Sequence, residues 1–223
     1  MFLFGSSFLI LLPAIILAAY AQWKVRSTYA KYSTVEAFNR VTAQQAAERI
    51  LTGAMITDVT IESSHRRLSD HYDPRKKVLR LSAPTSSSIA AIGVAAHEAG
   101  HAIQHAQSYE PLSLRTAIVP IANFGSQLAF PLFFIGLFAR MQPLVMAGII
   151  AFSAAVFFTL ITLPVEFDAS RRAIVALRET AIVNEEELGS VKEVLFAATL
   201  TYVAAAAMAA LQLLMLFSVS RRR

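Results

Sequence analysis

The sequence predicts a mostly helical α+β membrane protein, with about four transmembrane helices and one small helix/β-hairpin unit between the first two. Two observations predict it. Hydrophobic residues make up 56% of the 223 and charged residues 16%, a balance that suits lipid rather than a water-soluble globule. The polar residues are gathered between apolar runs long enough to cross about 30 Å of hydrocarbon.

The apolar runs are 2–21, 117–139, 143–163 and 194–219. The first has no basic side chain ahead of it and no small-x-small cleavage pattern, so it reads as a retained anchor rather than a signal peptide. The second and third are separated only by Arg140, Met141 and Gln142, which predicts a tight helical hairpin. Pro120, Asn123 and Pro131 are tolerable there, because neighbouring helices satisfy freed backbone groups. The chain therefore divides into an anchor (1–23), a polar segment (24–116), the hairpin (117–165), a second polar segment (166–193), and a last helix with a basic tail (194–223).

Four crossings place the two polar segments on one side of the bilayer. Lys and Arg sum to twelve in 24–116 and four in 166–193, against Arg140 and the terminal Arg221, Arg222 and Arg223. The positive-inside bias thus assigns both polar segments to the cytoplasmic face. The terminal arginines pull the other way and leave the side of the C-terminus open. The net charge of +5 is mostly this bias; basic residues are not interleaved with stacking aromatics, so a nucleic-acid partner is not expected.

Segment 24–116 reads as a small α+β unit. Thr42-Ala43-Gln44-Gln45 has the capping-box form and opens an amphipathic helix ending near Gly53. Val59 to Glu62 alternate, and Asp70-His71-Tyr72 and Val78 to Leu81 flank a turn at Asp73-Pro74-Arg75-Lys76. This predicts two or three short antiparallel strands. The strand at Val78 to Leu81, if its edge is free, offers main-chain hydrogen bonds to an extended peptide.

The chemistry is concentrated in His97-Glu98-Ala99-Gly100-His101. Residues four apart share a helix face, so both imidazoles can hold one zinc ion, while Glu98 can take a proton from a zinc-activated water. The preceding stretch contains no proline and offers Ser86, Ser87 or Ser88 as an N-cap, so the motif sits inside a helix. Gly100, a poor helix former between the two ligands, predicts close approach of another group. His105 lies about 12 Å of rise beyond His97, too far for the same ion, and reads as packing or as a group behind the ligands.

A catalytic zinc needs a third protein ligand and one open position. Cysteine is absent, so thiolates and disulfides are excluded. Glu166 stands out among the acids, because it follows directly on the run 143–163, begins a new helical pattern, and falls on the same side as the histidines.

Three stretches then carry a resemblance: Leu68 to Ser82, Gly93 to Ala106, and Pro111-Leu112-Ser113-Leu114-Arg115. Together they resemble the YugP-type neutral zinc metallopeptidases of bacterial membranes, over nearly the whole chain. The resemblance implies a gluzincin-like, zincin-type catalytic unit with one Zn2+ per chain, in a multi-pass protein of the bacterial cell membrane. Glu166-Phe167-Asp168-Ala169-Ser170 is also similar to the third-ligand segment of the HtpX-like and CAAX-prenyl membrane peptidases. An acidic residue stands four places after the glutamate there, and here that place holds Ser170. Either Asp168 or Ser170 is then the group that orients the first histidine.

The reading that results is a membrane-embedded zinc-dependent endopeptidase. His97, His101 and Glu166 are the expected metal ligands, and Glu98 is the general base. His71, Tyr72, Arg171 and Arg172 are candidate donors to the oxyanion, and Asp168 and Ser170 are candidates for holding a ligand imidazole. The expected partners are a protein or peptide substrate and the lipid bilayer; no signal bears on oligomeric state. Two rivals differ in class. A site-2-type intramembrane protease needs an aspartate within a late span, and no span here contains one. A catalytically silent metal-binding membrane scaffold has no use for Glu98.

Overall fold

The structure, a computed structural model, describes residues 9–64 and 69–221. The start of the first apolar run, Arg66, Arg67, Leu68 and the terminal Arg222 and Arg223 lie outside the described residues. After a 3-10 turn at Leu9–Leu11 come α1 (Leu12–Tyr32), α2 (Ala43–Gly53), β1 (Thr60–Ser63), β2 (His71–Asp73), β3 (Val78–Leu81), α3 (Ile89–Ala106), α4 (Glu110–Phe138), α5 (Gln142–Glu179) and α6 (Glu185–Arg221). The fold is thus mostly helical α+β, with one three-stranded sheet. Among the described residues, four helices are long and apolar enough to cross a membrane: Leu9–Tyr32, Glu110–Phe138, Gln142–Glu179 and Glu185–Arg221.

The chain forms two compact units. One comprises Met1–Gln22, Ser113–Pro164 and Thr201–Arg223. Its core holds Phe133, Ile149, Phe152 and Leu216. Helices pack closely where a side chain is missing: a Cβ added at Gly148 would stand 2.6 Å from the Phe133 nitrogen and 2.7 Å from the Ala129 oxygen. Small residues serve this purpose in lipid, where association rests on van der Waals packing rather than on expelling water.

The other unit comprises Trp23–Leu112 and Val165–Leu200 and contains every candidate site residue. Its centre is α3, which is buried along most of its length from Ile89 to Gln104, as a helix that is apolar nearly all round must be. Ser88 caps it by accepting from the Ala91 amide at 3.3 Å. The loop before α2 fixes that end: Ala37 donates to the Ser87 carbonyl at 2.9 Å, Ile89 to Val35 at 2.9 Å, and Ala43 to Ser86 at 2.8 Å. α2 begins with the expected capping box, Thr42 and Gln45 each bonding the other's backbone amide. Its Ala46, Ala47 and Ile50 join Leu79, Leu81, Ile92, Leu177 and Val191 in one apolar core.

The sheet differs from the sequence-based expectation. Its order is β1-β3-β2, with β2 antiparallel to β3 but β1 parallel to it. β3 is therefore central, and the strand expected to offer a free edge to peptide has none; the edges belong to β1 and β2. Alternation identifies a strand but carries no direction. The departure from alternation in Val78-Leu79-Arg80-Leu81, where Val78, Leu79 and Leu81 are all buried, is the mark of a covered central strand. Asp70 closes one end of β2 by accepting from the Ser82 amide at 2.8 Å and the Ser82 hydroxyl. Asp70 thus has a structural task at that end of the strand. Asp73 accepts from the amides of Arg75 and Lys76 at 3.0 and 3.2 Å, forming the expected turn.

Glu166 does not begin a new helix. α5 runs unbroken from Gln142 to Glu179 with Pro164 inside it. Proline removes one backbone donor, and the helix continues on the strength of its packing: Val165, Ala169, Ala173 and Leu177 are fully buried at four-residue intervals.

Leu79, in the central strand, has no exposed surface. Leu79→Ala is expected to lower the stability of the purified protein by about 2–5 kcal/mol. Denaturant unfolding followed by tryptophan fluorescence checks this, and a loss below about 0.5 kcal/mol would place the unit's core elsewhere.

Candidate metal centre

The helical spacing brings His97 and His101 together, their rings meeting edge to face at 4.8 Å between centroids. Glu166 comes to them from α5. Its Oε2 lies 3.1 Å from His97 Nε2 and 3.6 Å from His101 Nε2. One ligand atom from each of the three residues can be chosen so that all lie within 4.8 Å of one another.

Gly100 explains how α5 comes so near. A Cβ there would stand 2.5 Å from the Ala169 carbonyl oxygen, with the rest of that backbone at 3.2–3.3 Å. No side chain fits. Glycine costs α3 about 1 kcal/mol of helix propensity, and in return the two backbones touch within one turn of both histidines.

The donor set fits a zinc ion. Tetrahedral ligands at about 2.1 Å from zinc stand about 3.4 Å apart, and the two carboxylate-to-imidazole distances, 3.1 and 3.6 Å, bracket that value. Glu166 is 1% exposed, and a buried carboxylate needs a cation or several donors. Burial disfavours charge on His101, yet hydrogen bonding to Glu166 and the nearby Glu98 carboxylate hold its pKa above the ordinary histidine value. The pocket thus favours positive charge between the imidazoles and the carboxylate.

The atoms behind the ligands are also placed. Ser170 Oγ lies 3.1 Å from His97 Nδ1 and 3.4 Å from Thr199 Oγ1, which donates to the Leu195 carbonyl at 2.9 Å. His101 Nδ1 lies 3.0 Å from Gln104 Oε1, and Gln104 Nε2 donates to the Val165 carbonyl at 2.8 Å and to Asp168 Oδ2 at 2.9 Å. Asp168 in turn accepts from Arg171 at 2.9 Å and from Arg172. Of the two groups expected behind the first histidine, the structure brings Ser170 to it and sends Asp168 to Gln104.

Glu98 is buried, and its Oε2 accepts from the Tyr72 amide at 2.9 Å. The Tyr72 hydroxyl meets His105 Nδ1 at 2.8 Å, so His105 braces β2 and stands outside the ligand group. Burial, with Asp58 and Asp73 nearby, pushes the Tyr72 hydroxyl up to about 12, so it keeps its proton throughout the physiological range. The other candidate donors are engaged elsewhere. His71 Nδ1 is 2.8 Å from the Ser69 carbonyl and its Nε2 is 3.3 Å from Arg80; Arg171 is three-quarters exposed and pairs with Asp168; Arg172 also reaches Gln107 and lies over the Tyr109 ring.

Sequence reasoning missed Gln104 and Thr199. Gln104 had a signal, standing three residues after His101 and seven after His97 on the same helix face. Thr199 had none, being 29 residues beyond its partner Ser170.

Residues 7–221 match the family described as "Putative neutral zinc metallopeptidase". The chain is 47% identical over 205 residues, 91% of each chain, to the Bacillus subtilis (strain 168) protein named "Putative membrane protease YugP". No solved structure matches it. The family's name implies Zn2+, and the His97, His101 and Glu166 donors suit that ion. With its apolar helices and this relative, the chain is a membrane protein.

The Gly100 contact makes a direct prediction. Gly100→Ala is expected to force α3 and α5 apart, lowering stability by about 1–3 kcal/mol and cutting bound zinc in the purified protein. Gly93→Ala, whose Cβ would meet side chains rather than backbone, Val191 at 3.3 Å and Val194 at 3.9 Å, is the control. Metal analysis and thermal unfolding of the two variants check this, and equal zinc in both would contradict it.

Proposed function

The chain belongs to the neutral zinc metallopeptidase family, and on that premise we propose that it is a membrane-embedded zinc-dependent endopeptidase acting on membrane or membrane-proximal proteins. The observation that carries this reading is the convergence of His97, His101 and Glu166 beside a buried Glu98. The first three hold one zinc per chain. Zinc bound there supplies a Lewis acid that polarises a peptide carbonyl and lowers the pKa of a water toward neutrality.

The chain's own residues do the rest. Glu98 takes the proton of the attacking water as its oxygen forms a bond to the carbonyl carbon, and delivers that proton to the amine as the C–N bond breaks. The Tyr72 amide, 2.9 Å from Glu98 Oε2, fixes the carboxylate's orientation through both transfers. Each candidate donor to the developing oxyanion has another partner, Tyr72 included, whose amide meets Glu98 and whose hydroxyl meets His105, so zinc is the group left to carry that charge. Extended substrate lies along β2, the edge strand that contacts Glu98, rather than along the covered β3. A scaffold that only held metal would gain nothing from a buried acid so placed.

The site belongs at the cytoplasmic membrane surface. Glu166 follows the apolar run 143–163 in one continuous helix, about 4.5 Å of rise beyond its end, and the polar segments hold most of the chain's Lys and Arg. This restricts substrates to loops, tails or unfolded segments near that surface.

Two outcomes are expected. Wild type is expected to contain one zinc per chain. Alanine at His97, His101 or Glu166 is expected to remove most of it, and Glu98→Gln is expected to keep the zinc while losing about 10²–10⁴-fold in cleavage of a labelled protein. Glu98→Gln with undiminished cleavage would sink the mechanism. Second, cleavage of a membrane-tethered reporter is expected to fall as its scissile sequence is moved stepwise away from the bilayer; cleavage independent of that distance would contradict the placement.

A further inference from the structure

We propose that Gln104 is the positioning residue of the metal centre: a buried amide that admits only one orientation and so commits His101 to offering Nε2 to the ion. This rests on the reading of His97, His101 and Glu166 as zinc ligands and adds to it a residue that touches neither substrate nor ion.

Gln104 has no exposed surface, so each of its polar atoms must find a partner within the protein. Its Nε2 faces two oxygens, the Val165 carbonyl at 2.8 Å and Asp168 Oδ2 at 2.9 Å. A carbonyl accepts only, and so does a carboxylate held ionised by Arg171 and Arg172. Turning the amide over would set oxygen against oxygen at both contacts, so the NH2 group stays on that side. The amide oxygen then faces His101 Nδ1 at 3.0 Å, and it cannot donate. The neutral His101 ring, the form that binds metal, must therefore carry its proton on Nδ1 and offer its Nε2 lone pair to the site shared with Glu166.

His97 reaches the same tautomer by a separate route. The Leu195 carbonyl takes the Thr199 hydroxyl proton at 2.9 Å, so Thr199 accepts from Ser170 at 3.4 Å, and Ser170 accepts from His97 Nδ1 at 3.1 Å. This second chain is longer and has a loose middle link. The Gln104 route is tighter, its links to His101 and Val165 are buried, and it ties the histidine helix to the backbone of α5 immediately before Glu166. One side chain thus orients an imidazole and locates the carboxylate's helix. A ligand imidazole is commonly backed by a carboxylate or a carbonyl; here an amide stands between His101 and Asp168, keeping negative charge one step away from the ligand.

The test is metal affinity, measured without reference to catalysis. Full-length protein in detergent is stripped of metal and titrated with Co2+ against a chelator, following the visible ligand-field bands. Gln104→Met has a similar volume and no hydrogen bonds; it is expected to weaken Co2+ binding about 10–100-fold and to shift the bands. Gln104→Asn, which keeps an amide too short to span both partners, is expected to weaken it in the same direction, and covers the case in which the methionine variant does not fold. Ile103→Val, a buried neighbour outside the network, is expected to keep wild-type affinity even if it melts earlier. Either Gln104 variant, folded, binding Co2+ with wild-type affinity and spectrum would overturn the inference while leaving the metal centre intact. A wild-type protein that takes up no Co2+ would overturn the metal-centre reading and this inference with it.

Discussion

A carboxylate with 1% exposure, Glu166, is the constraint around which the site unit is arranged. An ionised carboxylate taken out of water costs several kcal/mol unless positive charge or donors meet it. Two imidazoles meet it on one side, and Gly100 lets the α3 backbone come close enough for them to reach. The remaining polar contacts follow from holding those three groups still. Ser170 and Gln104 occupy the far nitrogens of the two rings, Asp168 and its arginines anchor Gln104, and the Tyr72 amide takes up the carboxylate next to His97. Each of these side chains has a hydrogen-bond partner, as a polar cluster in an apolar core requires.

The arrangement also explains why α3 is so apolar and so deeply placed. Ligands held to within a few tenths of an ångström need rigid supports. A helix covered on most of its circumference by α2, the sheet and α5 cannot roll, and its first turn is pinned by the loop at Val35, Ala37 and Ala43. Glu98 and His97, the proposed base and first ligand, are adjacent residues, so whatever fixes one fixes the other. β2 contributes little apolar burial of its own; its contribution is to bring one backbone amide to Glu98 and one hydroxyl to His105.

Much of this was legible in the sequence, for reasons particular to each residue. His97, Glu98 and His101 are read from spacing alone, because four residues make about one helical turn. Glu166 is legible because a carboxylate directly after a long apolar run is costly unless it has a task. Ser170 enters through its place four residues on. What was not legible lies where partners are far apart in the chain or where pattern carries no direction. The parallel pairing of β1 with β3 reverses one expected strand relation, and alternation cannot reveal it. The continuity of α5 through Pro164 goes against the proline's local preference and is decided by packing. Thr199 meets Ser170 only because α6 returns past α5. Gln104 lay within reach of sequence reasoning on the ligand face of α3, but a single amide among alanines reads as solvated until its burial is known.

Whether His97, His101 and Glu166 share one zinc ion is read most directly from an anomalous difference map at the zinc edge, from crystals of the full chain. One peak per chain is expected, within about 2.0–2.2 Å of His97 Nε2, His101 Nε2 and a Glu166 oxygen, with Gln104 and Ser170 at the opposite nitrogens of the two rings. A peak bound by other residues, or one that left Glu166 more than about 4 Å from the ion, roughly twice the ligand distance, would contradict it.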